Sequence, residues 1–400
     1  MNWSYVIFHT LGGLGLFFMG MKVMSVSVQK AAGDKLRKIL KVLTSNRFVG
    51  AFVGFLITAI IQSSGATTVM TIGFVNAGLM TVQQTIGVGL GASIGTTVTG
   101  WIVTLNVALY SLPLIGIGVM LRLFSKNKSR QYIGELIYGF GILFLGMEIM
   151  KEGFAPLKES ETFIRIFQSI DGSTFTSILL GVFVGIVTTC ITQSSSAMVG
   201  IVIALASQGL LNFDGALAVV LGSNIGSSST GVLAAVGGTV NAKRTALAQV
   251  IFRSISVVVL IFLFHPYKEL VDLSTPGTPE EMLTVHIAMG HTLFNVITLV
   301  IFIPFVSQLA KFVEKIFPDK EGGKIEMPEN LVKLQTSMFS TPSIAIMECE
   351  KELLNMSDYV IKNLDMLREI KPIELNMMML ITRFLWCGSA HISLKPMTIM

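Results

Sequence analysis

Two apolar segments of this chain carry the same polar interruption, Gln62-Ser63-Ser64 and Gln193-Ser194-Ser195, and that pair limits the fold more than any other feature. A hydrocarbon interior offers no water to hydroxyls and amides, so such a tract persists only where protein, trapped water or a ligand satisfies it. The surroundings leave no doubt about the solvent. Apolar stretches long enough to cross about 30 Å of hydrocarbon recur from Tyr5 to about Lys311. With 52% hydrophobic and only 13% charged residues, a set of soluble domains is excluded. The expected class is an all-α polytopic membrane protein in contact with lipid, followed by a polar tail over the last ninety residues.

The Gln-Ser-Ser pair belongs to a longer duplication. Phe17-Phe18-Met19-Gly20-Met21 is echoed by Leu143-Phe144-Leu145-Gly146-Met147. Leu90-Gly91-Ala92-Ser93-Ile94-Gly95-Thr96-Thr97 is echoed by Leu221-Gly222-Ser223-Asn224-Ile225-Gly226-Ser227-Ser228. This second pair and the Gln-Ser-Ser pair share one offset of 131 positions (222 − 91 and 193 − 62), which ties them into a single repeat.

Loop charge orients the halves. Lys30, Lys35, Arg37, Lys38, Lys41 and Arg47 face a single Asp34 in the linker after the first span. The corresponding linker, 151–176, sets Lys151, Lys158 and Arg165 against Glu152, Glu159, Glu161 and Asp171. Cytoplasmic loops concentrate Lys and Arg, so the halves are expected to be inverted. The sign rule alternates over Arg122 to Arg130, Lys243-Arg244 and Lys311-Lys315 if each Gln-Ser-Ser segment is a hairpin that enters and leaves on one side. The N-terminus is then outside, a first span covers about 5–28, and the tail is cytoplasmic. The expected organisation is membrane repeat 1 over 1–130, membrane repeat 2 over 131–315, a linker over 316–340 and a helical tail over 341–400. The fold comprises two re-entrant hairpins and two transmembrane helices broken at the Gly-rich runs 91–99 and 222–231, because clustered glycines and hydroxyls weaken a helix.

Broken helices near the bilayer midplane present N–H groups to anions and carbonyls to cations. The motifs hold hydroxyls, amides and glycines, with no carboxylate and no Lys or Arg. An anion would be held by helix N-termini and hydroxyls, and a hard cation such as sodium by oxygen ligands. A cation bound beside the anion offsets its charge, a physical reason for coupling the two. The residues do not identify the anion.

The paired Gln-Ser-Ser motifs, the run Gly-Ser-Asn-Ile-Gly-Ser-Ser-Ser-Thr at 222–230 and His291-Thr292-Leu293-Phe294-Asn295 resemble the type II sodium/phosphate cotransporter family over about 1–315. The resemblance implies sodium-coupled transport of inorganic phosphate by alternating access, with sodium as coupling ion and no other cofactor. It implies phosphate contacts from Ser63, Ser64, Ser194, Ser195 and Ser196. It implies sodium ligands at Gln193, Ser194, Ser223, Asn224, Ser227 and Thr230, with Gln62 and Thr96 as first-half counterparts. Gly65 stands where the family has a third serine, Ser93 where it often has Asn, and Ser227 where it has Thr. The tail after Thr341-Pro342-Ser343 resembles the opening of a PhoU-like domain, and Trp386 to Met400 does not continue it. The implied location is a bacterial inner membrane.

Other classes are weaker. No Gly-x-Ser-x-Gly elbow supports a hydrolase, so no enzyme is expected. Basic residues sit in short loops, as membrane orientation requires, which argues against nucleic acid. Cys190, Cys349 and Cys387 have neither disulfide nor metal spacing, and His286 and His291 lack a completing carboxylate or thiol. Lys22 and Glu148 lie near span ends, where long side chains snorkel. Arg253 is set deeper, in a structural or functional role. Export of phosphate, transport of another small oxyanion and phosphate sensing through the tail remain as alternatives, and the residues leave a homo-oligomer open.

Overall fold

The computed structural model describes residues 2–41, 46–76, 78–105, 108–318 and Ser357. The chain divides at Asp319, and apart from Ser357 the expected tail over 341–400 lies outside the described residues, as does nearly all of the linker. Every regular element among the described residues is helical. Among the described residues seven helices are long and apolar enough to cross a membrane, and the chain is an all-α polytopic membrane protein.

The first half runs through α1 (Trp3–Lys41), α2 (Arg47–Ile61), α3 (Ser64–Asn76), α4 (Val82–Thr104) and α5 (Ser111–Phe124). The second repeats it as α6 (Lys128–Phe154), α7 (Glu161–Gln168), α8 (Phe175–Thr192), α9 (Ser195–Ser207), α10 (Phe213–Gly226), α11 (Ser228–Ala235) and α12 (Val240–Phe262). Three helices close the chain: α13 (Phe264–Leu273), α14 (Leu283–Phe302) and α15 (Val306–Ile316). The offset found in sequence reappears at helix ends. Both ends of α3 and α9 differ by 131 positions, as do the start of α4 and that of α10 and the end of α4 and that of α11.

Helices in lipid gain little from hiding apolar surface and associate through close packing, which favours small residues at their contacts. Gly13 and Gly20 of α1 meet Gly146 and Gly139 of α6, each at seven-residue spacing. A Cβ on Gly13 would lie 2.7 Å from the Gly146 carbonyl oxygen, and one on Gly20 2.7 Å from that of Gly139. The earlier glycine of one helix meets the later glycine of the other, so these equivalent helices run antiparallel. That geometry places the halves in opposite orientations. Around this seam Phe17, Leu143, Phe144, Val199, Leu217 and Phe294 are fully buried in one cluster.

The same economy of volume explains the Gly-rich runs. A Cβ on Gly91 would overlap the Ala51 carbonyl oxygen, and one on Gly222 the Val182 carbonyl oxygen. At Gly95 and Gly226 the nearest obstacles are the Phe55 and Ile186 carbonyl oxygens, both at 2.6 Å. α2 therefore lies in a groove of α4 and α8 in the matching groove of α10. This corrects one expectation. α4 runs unbroken from Val82 to Thr104, because its glycines serve close approach rather than a break. Only the second run is interrupted, at Ser227 between α10 and α11. The first candidate span, Trp3–Ala31, lies close to the expected 5–28, and the helix itself continues to Lys41.

Helix starts are fixed by side-chain caps. Thr81 and Gln84 form a capping box at α4, and Thr174 and Ser177 form one at α8. Just before α8, Asp171 accepts from the Ser173 backbone N–H at 2.9 Å and its hydroxyl at 2.7 Å. Those donors hold the Asp171 carboxyl below its ordinary range. Glu148 pairs with Lys151 at 3.5 Å, one turn along α6.

Candidate functional site

Both Gln-Ser-Ser tracts make the turn of a helix–turn–helix. Gln62 ends α2 with φ 59° and ψ 28°, and Gln193 ends α8 with φ 54° and ψ 24°. They are the only non-glycine residues with positive φ among the described ones. A left-handed backbone costs a residue with a Cβ on the order of 1 to 2 kcal/mol, so two equivalent glutamines holding it mark a constraint beyond chain reversal. The next residue starts the following helix. Ser63 Oγ accepts from the Ala66 N–H at 3.1 Å and Ser194 Oγ from the Ala197 N–H at 3.2 Å. Each tract thus delivers serine hydroxyls to the N-terminus of a helix, where unpaired N–H groups favour anions.

The other expected anion contacts follow from these turns. Ser64 is half-buried at the first turn of α3, and Ser195 and Ser196 are buried in the first turn of α9. Ser196 Oγ lies 3.2 Å from Ser194 Oγ.

The two turns are anchored alike. Thr99 of α4 donates to Gln62 Oε1 at 2.8 Å, and Thr230 of α11 donates to the Gln193 carbonyl oxygen at 3.4 Å. Gln62 also donates its amide to the Ala59 carbonyl oxygen. Thr230 additionally faces the first turn, since a Cβ on Gly65 would lie 3.1 Å from its methyl group. Both tracts therefore converge on Thr230. The cross-contacts are mirrored as well: Gly100 faces Val199 of α9, and Gly231 faces Thr68 of α3.

Of the expected cation ligands, Ser223 and Asn224 are buried on α10. Ser223 Oγ donates to the Val220 carbonyl oxygen at 2.7 Å, and Asn224 Nδ2 donates to the same oxygen at 2.8 Å. With its nitrogen so held, Asn224 presents its amide oxygen as acceptor. Ser227 donates to the Asn224 carbonyl oxygen at 2.8 Å. Thr96 donates to the Ala92 carbonyl oxygen on its own helix at 3.2 Å.

One group absent from both motifs enters from α12. Arg253 is 4% exposed, donates through Nη1 to Ser227 Oγ, and donates through Nη2 to Ser93 Oγ at 3.1 Å. The motifs themselves hold no cation, but the folded site does: a guanidinium bridges the two halves at equivalent runs. Arg253 belongs to a buried polar stripe on α12. Thr245 meets Thr85 at 3.0 Å, and Gln249 meets Thr68 at 3.3 Å. The spacing of Thr245, Gln249, Arg253 and Ser256 is helical and could have revealed the stripe in sequence. Thr99 could have been found as the counterpart of Thr230, 131 positions earlier.

Several polar atoms nearby are buried without a hydrogen-bond partner, including the hydroxyls of Thr189, Ser228, Ser229 and Ser256 and both ring nitrogens of His291. His286 differs, with Nδ1 at 3.0 Å from the Met282 carbonyl oxygen and Nε2 at 3.2 Å from Asp272. No cluster of three His, Cys, Asp or Glu side chains suits a metal among the described residues. The polar groups brought together are hydroxyls, amides and backbone carbonyls, with the Arg253 guanidinium beside them.

The profile of the Na+/Pi-cotransporter family matches residues 16–152 and 160–275. The chain is 26% identical over 364 residues to the Salmonella typhimurium protein named "Putative inorganic phosphate export protein YjbB", covering 91% of this chain and 65% of that one. It is 29% identical over 306 residues to "Uncharacterized protein YqeW" of Bacillus subtilis, covering 76% of this chain and 96% of that one. The rat "Sodium-dependent phosphate transport protein 2A" is 38% identical over 97 residues, covering 24% of this chain and 15% of that one. The chain thus spans just under two thirds of the length of the Salmonella relative. No solved structure matches it significantly.

Proposed function

Given that this chain belongs to the Na+/Pi-cotransporter family, we propose that it carries inorganic phosphate across a bacterial membrane together with sodium, by alternating access around the paired turns. The observation that carries this reading is the convergence of both Gln-Ser-Ser turns on Thr230. Two helix N-termini with serine hydroxyls then stand at one place, as an oxyanion requires. Sodium ligation is assigned to the oxygens of Gln193, Ser194, Ser223, Asn224, Ser227 and Thr230, with Gln62, held by Thr99, as the first-half counterpart of Gln193. Phosphate contacts are assigned to Ser63, Ser64, Ser194, Ser195 and Ser196.

In this reading α2 with α3, and α8 with α9, enter the membrane from opposite sides and return. The N-terminus is outside and the tail inside. The repeats span 1–130 and 131–315. A cysteine replacing the exposed Ala155, in a background without Cys190, Cys349 and Cys387, is expected to react with an impermeant thiol reagent added outside. Reaction only from the cytoplasmic side would reverse the topology.

Transport itself is tested in liposomes. Phosphate uptake is expected with an inward sodium gradient, to be lost with a matched potassium gradient, and to resist excess sulfate. Phosphate binding without flux under any gradient would overturn the transport reading. Net export is a second reading, favoured by the name of the Salmonella relative. Phosphate-loaded liposomes that release it faster than they take it up, at equal and opposite gradients, would establish export.

A further inference from the structure

A buried guanidinium is costly unless an anion faces it, and among the described residues none faces Arg253. No carboxylate among them lies within salt-bridge distance, and the guanidinium meets two neutral hydroxyls and the Phe252 ring, 5.8 Å from its centroid. Neither hydroxyl offers it a proton. Ser227 directs its own hydrogen to the Asn224 carbonyl oxygen, and Ser93 directs its own to the Gly89 carbonyl oxygen at 3.0 Å. Both therefore turn lone pairs to the guanidinium, as they would to a metal cation. Ser227 also completes the set with Ser223 and Asn224 to which sodium has been assigned. Sodium and the guanidinium need the same oxygen, and two unit charges at that separation repel strongly in a poorly hydrated site.

We propose that Arg253 is a tethered cation that occupies the Ser227 hydroxyl while sodium is absent, is displaced from it when sodium binds, and then faces the phosphate anion. The inference rests on the sodium-coupled reading and adds a means of coupling. In the sodium-free state the positive charge of the site is the arginine itself, bound to Ser227 and Ser93. Sodium entry releases the fork of donors, whose geometry matches a tetrahedral oxyanion better than single hydroxyls. Phosphate then binds a site holding two cations, one fixed and one mobile. The site's position supports the exchange. Ser227 is one helical turn before Thr230, where both serine tracts meet, and Arg253 reaches the first repeat through Ser93.

The test uses the full chain in lipid nanodiscs, with radioactive sodium and inorganic phosphate as separate probes. Arg253→Gln is expected to bind sodium at least about ten-fold tighter without phosphate, and phosphate at least about ten-fold weaker at saturating sodium. Ser93→Ala keeps the charge but removes one anchor, and is expected to tighten sodium by about three-fold. Arg253→Lys, which keeps the charge without the fork, is expected to shift sodium less than Arg253→Gln. A merely structural arginine would weaken both ligands together or neither. Sodium affinity unchanged or weakened in Arg253→Gln overturns the exchange. If that variant does not assemble, unchanged sodium affinity in Ser93→Ala overturns it. Absence of sodium binding in the wild-type chain, with phosphate still bound, overturns the sodium-coupled reading instead.

Discussion

Alanine at Gly222 is expected to lower the stability of the protein by about 3 kcal/mol or more, as overpacking against an unyielding neighbour does. The added methyl would overlap the Val182 carbonyl oxygen, with the carbonyl carbon at 2.7 Å and the Cα at 2.9 Å. All three are backbone atoms of α8, so no side chain can rotate away and the whole helix must move. α8 ends at Gln193, and a shift there displaces the turn that Thr230 anchors. Gly73→Ala on α3 is the control. Nothing lies within 4 Å of its would-be Cβ, and the gain in helix propensity is about 1 kcal/mol. Thermal melting of both variants in one detergent measures the contrast. Equal melting temperatures would show that α8 and α10 are not locked by this contact.

Asn224→Ala is expected to raise the sodium concentration for half-maximal phosphate uptake by about ten- to one-hundred-fold. Asn224 is buried, and its amide nitrogen is held by the Val220 carbonyl oxygen, which leaves the amide oxygen oriented before any ion arrives. A polar contact to a charged partner contributes about 1.5 to 3 kcal/mol, and about 1.4 kcal/mol is a factor of ten. Alanine favours the helix and brings no bulk, so insertion and yield should hold. The measurement is a sodium titration of uptake at fixed phosphate, beside the amount of protein in the membrane. An unshifted titration would remove Asn224 from the cation site.

The two predictions differ in how far the sequence could support them. Asn224 was visible as an amide in an apolar run, repeated in position by Ser93, and polar groups there need a reason. Gly222 is visible as well, but the purpose of its first-half counterpart Gly91 is not. A cluster of glycines and hydroxyls weakens a helix when nothing packs against it, and that local argument predicts breaks at both runs. In α4 the missing Cβ atoms of Gly91 and Gly95 instead admit α2, so the helix continues and the glycines strengthen the contact. Sequence does not distinguish a glycine needed for its backbone angle from one needed for its absent side chain. The left-handed turns are the converse. Gln62 and Gln193 adopt an angle that local preference assigns to glycine, and they hold it because the helices on either side are fixed by packing.

Helicity, several membrane crossings and a repeat at a constant offset are all legible in the sequence, because hydropathy and spacing are local properties of the chain. Loop charge adds an expectation of which side each short loop takes. Only the tertiary structure decided what meets at the centre. Thr230 joins turns from both halves, and Arg253 bridges Ser93 and Ser227 from a helix whose own motif shows neither partner. The physical reason is that a buried charge or hydroxyl is satisfied by whatever packing brings within about 3 Å, however distant in the chain.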